Sequence, residues 1–296
     1  MKKYLLLLMS VFMLTTFMAC GGDDDEVDDP KKEDPDNGGG TTDSGDGTFK
    51  GVARVFGSNL IKKMDVVNWE GDKGTISFNY SNGKMKTITR VFNDGNSNDS
   101  YSMSFAYKNN TVVATIKVNE ESSEYTQTYT GTIGKSGFIE KGTYIHKTDD
   151  SRNRTFACEY NSSGQLTKLI LYDYDNPTKI DLMHEIQYAN GSIESVIEYE
   201  YSENNGQLVA EESWTFEYSD RDNIAGFALL STFIDLETDD ILYFAGLLGN
   251  SPMKKIPVSA QAGKRKMEWT FQNSGLPKTV DYYKYDEHRL SLTLTY

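Results

Sequence analysis

The residues best suited to chemistry in this chain are two pairs of neighbouring carboxylates, Glu198/Glu200 and Glu211/Glu212. Two carboxyl groups can serve as general acid and general base in the cleavage of a glycosidic bond. In a strand, however, Glu198 and Glu200 lie on one face and Tyr199 and Tyr201 on the other. A row of glutamates of this kind is typical of a solvated outer face, so we expect no catalytic residue here.

Other sequence motifs provide little evidence for a catalytic or metal-binding site. The sequence contains no phosphate-binding glycine loop and no nucleophile elbow, and His146, His184 and His288 lack the spacing of metal ligands. The stretches Asp220-Arg-Asp222 and Asp235 to Asp240 carry possible calcium ligands but not the regular calcium-binding loop with its glycine. We therefore expect no catalytic role, no metal and no cofactor.

The two cysteines differ in their surroundings. Residues 1–19 have a basic start and an apolar segment too short to span a bilayer, and Phe17-Met18-Ala19-Cys20 resembles a bacterial lipobox. We expect residues 1–19 to be a signal peptide and the Cys20 thiol to carry diacylglycerol, with a retained membrane anchor as the alternative. Cys158 lies in an alternating stretch without basic neighbours, which favours a buried thiol over a reactive one.

The segment that follows Cys20 is a predicted tether. Residues 21–48 carry eleven acidic side chains and two lysines, a net charge of −9. A segment with so few apolar residues cannot form a core. We therefore expect residues 20–48 to be a disordered spacer. Gly21 in place of aspartate favours the outer membrane, and the run Asp23 to Asp29 resembles an acidic export signal to the cell surface. A plain solvated spacer and a periplasmic location stay open.

Residues 49–296 are predicted to form one all-β domain. Five units join an aromatic or apolar residue to an apolar residue through a polar turn, as in Phe78-Asn-Tyr80-Ser-Asn-Gly83-Lys-Met85. The other units are Cys158 to Leu166, Ile186 to Ile193, Tyr199 to Leu208 and Trp269 to Leu276. Each unit predicts a β-hairpin, and successive hairpins predict an antiparallel meander curled into a barrel or half-barrel.

One stretch, residues 223–248, interrupts the strand pattern. Thr238-Asp239-Asp240 and the apolar residues after it predict a capped helix that ends at Gly249, and Pro252 prevents its continuation. A helical turn over Ile224 to Phe233 is a weaker prediction, because Gly226 disfavours it. A helix with so broad an apolar face needs cover, which the concave face of a curved sheet would supply.

These features together resemble a family of bacterial lipoproteins of unknown function described as having a porin-like fold. The resemblance rests on the lipobox, the acidic tail, the tyrosine-rich hairpins and the segment from Asn223 to Pro257. It implies a curved or nearly closed antiparallel sheet and supplies no catalytic residues. Charged residues in Ser195 to Ser202 and in Glu120 to Glu124, which we place on the outer face, favour a barrel in water over a membrane pore.

Two functions remain for such a tethered body. The first is noncatalytic recognition of a polysaccharide, a host protein or another surface macromolecule through aromatic side chains; the second is a carrier or assembly factor that shelters a lipid or lipoprotein chain in a concave β face. Exposed aromatic residues would favour recognition. The tryptophans to inspect are Trp69, Trp214 and Trp269, although packing in the core is the commoner role of tryptophan. A net charge of −7 over residues 49–296 makes nucleic acid a poor partner.

Overall fold

The chain folds into a closed antiparallel barrel in which each strand pairs with its neighbours in sequence and β1 pairs with β16. The computed structural model describes Phe49 and residues 51–93, 98–120, 123–146, 153–228, 239–261 and 263–296. The predicted signal peptide, Cys20 and tether lie outside the described residues. The predicted curled meander is confirmed, and of the two forms expected the closed barrel is the one observed.

The barrel has sixteen strands and, among the described residues, two short helices. The strands are β1 (Lys63–Asn68), β2 (Lys73–Ser81), β3 (Lys84–Asn93), β4 (Asn98–Lys108), β5 (Thr111–Glu120), β6 (Ser123–Ile133), β7 (Ile139–His146), β8 (Arg154–Tyr160), β9 (Leu166–Asp173), β10 (Ile180–Ala189), β11 (Ser192–Ser202), β12 (Gln207–Asp222), β13 (Lys255–Ala260), β14 (Arg265–Phe271), β15 (Pro277–Lys284) and β16 (Glu287–Thr295). The helices are α1 (Ala53–Phe56) and α2 (Asp239–Phe244). Neither helix is long enough to cross a bilayer.

The two ends of the barrel differ. The turns β2–β3, β4–β5, β6–β7, β8–β9, β10–β11 and β14–β15 lie at one end, together with the long β12–β13 connection, and we name this the insertion end. The remaining turns form the distal end. Phe49 and residues 51–61, which precede β1, also lie at the insertion end, where Val52 donates a backbone hydrogen bond to Gly83 at 2.9 Å.

All five predicted hairpins are present as paired strands. The turns Asn82-Gly83 and Asn190-Gly191 have positive φ at both residues, 52° and 70° in the first and 54° and 82° in the second. Asn and Gly tolerate this conformation, and such turns match the right-handed twist of paired strands. Four of the five hairpins turn at the insertion end, whereas the β11–β12 hairpin turns at the distal end.

Aromatic side chains fasten neighbouring hairpins together at the insertion end. Each lies near the end of an even-numbered strand and donates a hydrogen bond to a backbone carbonyl near the start of the preceding strand. The pairs are Tyr80 to Ile61 at 2.8 Å, Tyr160 to Ile139 at 2.6 Å, Tyr188 to Leu166 at 2.7 Å, Tyr218 to Ile193 at 2.8 Å and Trp269 Nε1 to Pro257 at 2.7 Å. Burial raises the pKa of the Tyr188 hydroxyl, as it does for the other three tyrosines. These bonds give the tyrosines of the hairpin units a structural role.

On β4 and β6 the wall is apolar inside and polar outside. On β4, Met103 and Phe105 are buried whereas Ser102 and Ser104 are exposed. On β6, buried tyrosines alternate with a row of partly or fully exposed threonines, Thr126, Thr128, Thr130 and Thr132. A transmembrane barrel has the opposite arrangement, with an apolar band on its outer surface.

The described parts of the β12–β13 connection, residues 223–228 and 239–254, fill the interior at the insertion end. Leu242, Tyr243, Phe244 and Leu247 are buried and belong to the same apolar core as the inward side chains of the wall. The Phe244 ring packs against those of Phe56, Phe78 and Phe227 at centroid distances of 6.1, 5.6 and 5.7 Å. The chain therefore plugs its own barrel, which agrees with the concave cover expected for this segment.

Helix α2 ends earlier than predicted. Gly246 adopts a φ of 73°, and the amides of Gly246 and Leu247 donate to the carbonyls of Tyr243 and Leu242 at 2.7 and 2.9 Å. This is a Schellman motif with Gly246 in the left-handed position, so the prediction of Gly249 as the end is wrong. The predicted helical turn from Ile224 is also wrong within residues 224–228, which form a turn at Gly226; residues 229–233 lie outside the described part.

Candidate functional site

The interior of the barrel becomes polar towards the distal end. The strand register places buried polar side chains between the middle of the wall and the distal rim. The described part of the insertion does not extend to this part of the interior. The members of this layer are Arg90, Gln127, His146, Asn153, His184, Glu198 and Arg265. A buried polar group is retained only when it finds hydrogen-bond partners, so this layer is the first place to look for a site.

The most deeply buried ionisable contact joins His184 on β10 to Glu198 on β11. The two residues are cross-strand partners, their Nε2 and Oε2 atoms lie 3.0 Å apart, and their side chains are 0% and 5% exposed. The prediction that Glu198 belongs to a solvated outer row is therefore wrong. Tyr199, predicted to be on the opposite, inner side, lies on the outer wall and contacts Glu185 at 3.4 Å.

A second carboxylate lies beside the first. Glu212 on β12 is the cross-strand partner of Glu198, and its Oε1 accepts a hydrogen bond from Gln261 Nε2 at 2.5 Å. Gln261 in turn accepts one from Arg265 Nε at 2.9 Å. The structure thus brings together one member of each predicted carboxylate pair, while Glu200 and Glu211 are exposed. Side chains from facing positions on separate strands make this pair, which is why the two-residue spacing did not reveal it.

Cationic side chains continue the layer across β14, β15 and β16. Arg265 and Lys284 are cross-strand partners, and burial together with the charges of Arg265 and Arg289 lowers the pKa of the Lys284 ammonium. Arg265 also hydrogen-bonds to Tyr282, whose pKa burial raises. The Arg265 guanidinium lies 6.0 Å from the centre of the Trp214 ring. A concentration of cations is unusual in a domain whose net charge is −7.

Exposed aromatic rings lie on the distal rim above these cations. Trp69, on the β1–β2 turn, is 47% exposed, and Tyr285, on the β15–β16 turn, is 61% exposed. Across the wall the two turns are two strand spacings apart, about 10 Å. Because Asn68 pairs with Leu290, the Tyr285 turn also lies several residues further out along β16. Rings at this separation can each stack on a separate unit of a chain molecule.

The Trp69 turn is held rigidly. The Asn68 side chain accepts hydrogen bonds from the amides of Glu70 and Asp72 at 3.0 and 2.9 Å and donates one to the Asp72 carboxylate at 2.8 Å. The indole is therefore presented to solvent by a turn whose backbone is already ordered. A pre-organised aromatic group loses little conformational entropy when it binds a ligand.

The other two tryptophans have core positions. Trp214 is 2% exposed inside the barrel, and Trp269 packs edge to face against Phe227 at 5.8 Å. The expectation that tryptophans serve the core therefore holds for these two, while Trp69 is the one available for recognition.

The remaining candidates do not form a site within the described residues. Cys158 is buried, and burial raises the pKa of its thiol to about 12, which fits the expected inert role. Asp222 pairs with Lys255 at 2.8 Å. Residues 235–238 lie outside the described part, and the rest of the described chain holds no cluster of three metal-ligating side chains.

No protein-family model and no curated protein matches this sequence. The solved structures do contain similar folds. One is the crystal structure of a porin-like protein from Bacteroides vulgatus ATCC 8482, with a TM-score of 0.50 and 12% sequence identity over 80% of this chain and 98% of that chain. At this level of identity the similarity shows the fold alone: this chain has the barrel architecture of a porin-like protein.

Proposed function

We propose that this protein is a noncatalytic surface lipoprotein that binds a polysaccharide with the distal end of its barrel. The observation that carries the proposal is the pair of exposed aromatic rings, Trp69 and Tyr285, on neighbouring turns of that end. Aromatic faces stack on sugar rings, and the polar groups just below them can hydrogen-bond to hydroxyls.

The position of the chain's N-terminal part supports this orientation. Phe49 stacks on Tyr107 at 5.2 Å, and Tyr107 lies near the insertion-end terminus of β4. A lipid-anchored tether that joins the barrel at the insertion end would leave the distal end free to face away from the membrane. A barrel wall whose outer face is polar belongs in water, and the lipid would be the membrane attachment.

The carrier alternative is less well supported. A lipid carrier needs apolar space, but the apolar half of this barrel is packed with the protein's own side chains, including Phe227, Tyr243 and Leu247, all at most 1% exposed. The enzymatic alternative is also weaker, because Glu198 is tied to His184 inside the wall and Glu212 is tied to Gln261. Recognition requires neither an empty cavity nor a reactive group.

A carbohydrate array tests the proposal. The full chain, purified in mild detergent, should bind at least one polysaccharide, and Trp69→Ala should weaken that binding at least tenfold because a stacking surface is lost. Tyr199→Ala is the matched control: it also removes an aromatic ring, but from the outer wall. Binding by no glycan on the array, or binding that Trp69→Ala leaves intact, would contradict the proposal.

A further inference from the structure

We propose that Tyr174, on the β9–β10 turn, is a second stacking site for the same polysaccharide, on the opposite side of the barrel mouth from Trp69. One extended chain would then contact both sides of the mouth. This inference rests on the proposed function and adds the kind of ligand that the distal end takes, which is a long polymer and not a short oligosaccharide.

Aromatic residues occur on three of the eight turns at the distal end. Trp69, Tyr174 and Tyr285 lie on the β1–β2, β9–β10 and β15–β16 turns, and all three side chains are exposed, Tyr174 by 41%. The other five turns at this end contain no aromatic residue in their sequences. An exposed ring is therefore a particular feature of these three turns, and each can stack on a sugar unit.

The topology of the barrel places Tyr174 opposite Trp69. The β1–β2 and β9–β10 turns are eight strands apart in either direction around the sixteen-stranded wall. With neighbouring strands about 4.8 Å apart and tilted by about 40°, the mouth of such a barrel is about 30 Å across. Only a chain of several sugar units can reach from one ring to the other.

The β9–β10 turn has the same construction as the β1–β2 turn. In each, the last residue of an odd-numbered strand caps the turn with its side chain, and the exposed aromatic residue follows directly. Asp173 Oδ1 accepts hydrogen bonds from the amides of Asp175 and Asn176 at 3.0 and 3.3 Å, in the way that the Asn68 side chain does on the other side of the mouth. Asp and Asn side chains stabilise turns by such bonds to the backbone.

Further contacts order the backbone around Tyr174. The amide of Lys179 donates to the Asn176 carbonyl at 2.8 Å, and the amide of Asp173 donates to the Lys179 carbonyl at 3.0 Å. The Lys179 ammonium lies 4.0 Å from the Asp173 carboxylate and 4.5 Å from the centre of the Tyr201 ring on β11. An aromatic ring on a turn that is already ordered loses little conformational entropy when it binds a ligand.

Two separate rings on one wall make binding depend on the length of the ligand. Once a polymer has bound to one ring, its binding to the other is intramolecular, and the effective concentration raises the overall affinity. A short oligosaccharide occupies only one ring at a time and lacks this gain. We therefore expect the affinity per sugar unit to rise with chain length.

The probes are xylan, mannan, amylose and polygalacturonate, each paired with its trisaccharide, together with any polysaccharide that the carbohydrate array identifies. Polymer and trisaccharide are compared at equal concentrations of sugar units. The full chain in mild detergent should bind at least one polymer at least tenfold more tightly than its trisaccharide. That polymer should slow hydrogen exchange in residues 173–179 as well as in residues 68–72.

Three variants locate the second site. Tyr174→Ala should weaken binding of the polymer at least tenfold and abolish its advantage over the trisaccharide. Tyr174→Phe keeps the ring and should preserve that advantage, as should Tyr199→Ala, which removes a ring from the outer wall. Thermal unfolding verifies that each variant is folded, and the exchange measurement on the native chain decides the question if Tyr174→Ala does not fold.

The outcomes separate the second site from the proposed function. Equal affinity for polymer and trisaccharide would overturn the second site and leave recognition at Trp69 standing. Polymer binding that Trp69→Ala weakens and Tyr174→Ala does not, or protection of residues 68–72 without residues 173–179, would have the same meaning. Absence of binding to these polymers and to every glycan on the array would overturn polysaccharide recognition itself.

Discussion

At the scale of single residues, His184 and Glu198 form a buried ionisable pair in the barrel wall. Both side chains lie inside the wall, 3.0 Å apart. Removal of one partner from a buried polar pair leaves the other without compensation in a medium of low polarity. The two residues are thus expected to be energetically coupled.

Replacement of Glu198 measures this coupling. Glu198→Leu should lower the free energy of unfolding by about 3 kcal/mol, since it leaves His184 without its carboxylate. Glu200→Leu, two residues along the same strand at an exposed position, should change it by less than about 0.5 kcal/mol. Denaturant unfolding measures both, and equal effects would show that the pair contributes nothing specific.

Lys284 gives a pH-dependent prediction. Its pKa is lower in the folded state than the ordinary 10.5, so the charged form costs stability at pH 7, and the cost disappears as the pH rises through the lowered pKa towards 10.5. Because the side chain is only half-buried, Lys284→Met should stabilise the protein at pH 7 by at most about 0.5 kcal/mol. Near pH 10.5 the variant and the native protein should unfold at the same temperature.

Lys266→Met is the control for the pH series. The carboxylate of Glu268 raises the pKa of Lys266, so the sign is opposite and this variant should gain no stability at pH 7. A gain in stability for Lys266→Met, or a loss for Lys284→Met at pH 7, would contradict the account of the cationic group.

The site was less predictable from sequence than the fold at this scale. In Ser195 to Ser202 polar and apolar residues occur on both faces of the strand, so alternation alone does not tell which face is inside. Tyr199 was placed inside because aromatic residues usually are, yet the interior at this height is polar and takes Glu198. The partner, His184, lies fourteen residues away on another strand.

At the scale of elements, the tyrosine hydrogen bonds at the insertion end join each hairpin to the next. Tyr188→Phe removes the bond to the Leu166 carbonyl and should cost about 1 kcal/mol in unfolding free energy. Tyr285→Phe, which removes a hydroxyl from an exposed ring, should cost almost nothing. Chemical denaturation compares the two, and an equal cost would show that the buried bonds do not stabilise the barrel.

Gly246 ends helix α2 in a conformation that side chains avoid. An alanine Cβ at Gly246 would lie 3.0 Å from Val52 Cα, whereas at Gly263, with a similar positive φ, it would meet nothing within 4 Å. Gly263→Ala should therefore cost about 1 kcal/mol from backbone strain alone, and Gly246→Ala about 1 kcal/mol more. Thermal unfolding tests the order, and the reverse order would contradict the packing of α2 on residues 49–61.

The elements themselves were largely predictable. Asn-Gly turns between short aromatic strands identified hairpins because few other residues accept two successive positive φ values. The end of α2 was missed because two glycines, Gly246 and Gly249, could both terminate it, and contacts with Val52 and the barrel wall decide between them. Such contacts join segments far apart in sequence.

At the scale of the whole molecule, closure of the barrel separates two ends with different chemistry. The β1–β16 pairing joins Lys63 to Thr295 and completes the wall, while the insertion and residues 49–61 fill one end. The length of the meander and its apolar face were enough to predict that it curls. Closure depends on the register between the first and last strands, for which the sequence contains no local signal.

The central claim is that the distal end is the recognition surface. Hydrogen exchange of the full chain, with and without the polysaccharide found on the array, tests it most directly. We predict slower exchange on binding in residues 68–72 and 284–288, with no change at the insertion-end turns 161–165 and 189–192. Protection at the insertion-end turns, with none at Trp69 and Tyr285, would contradict the claim.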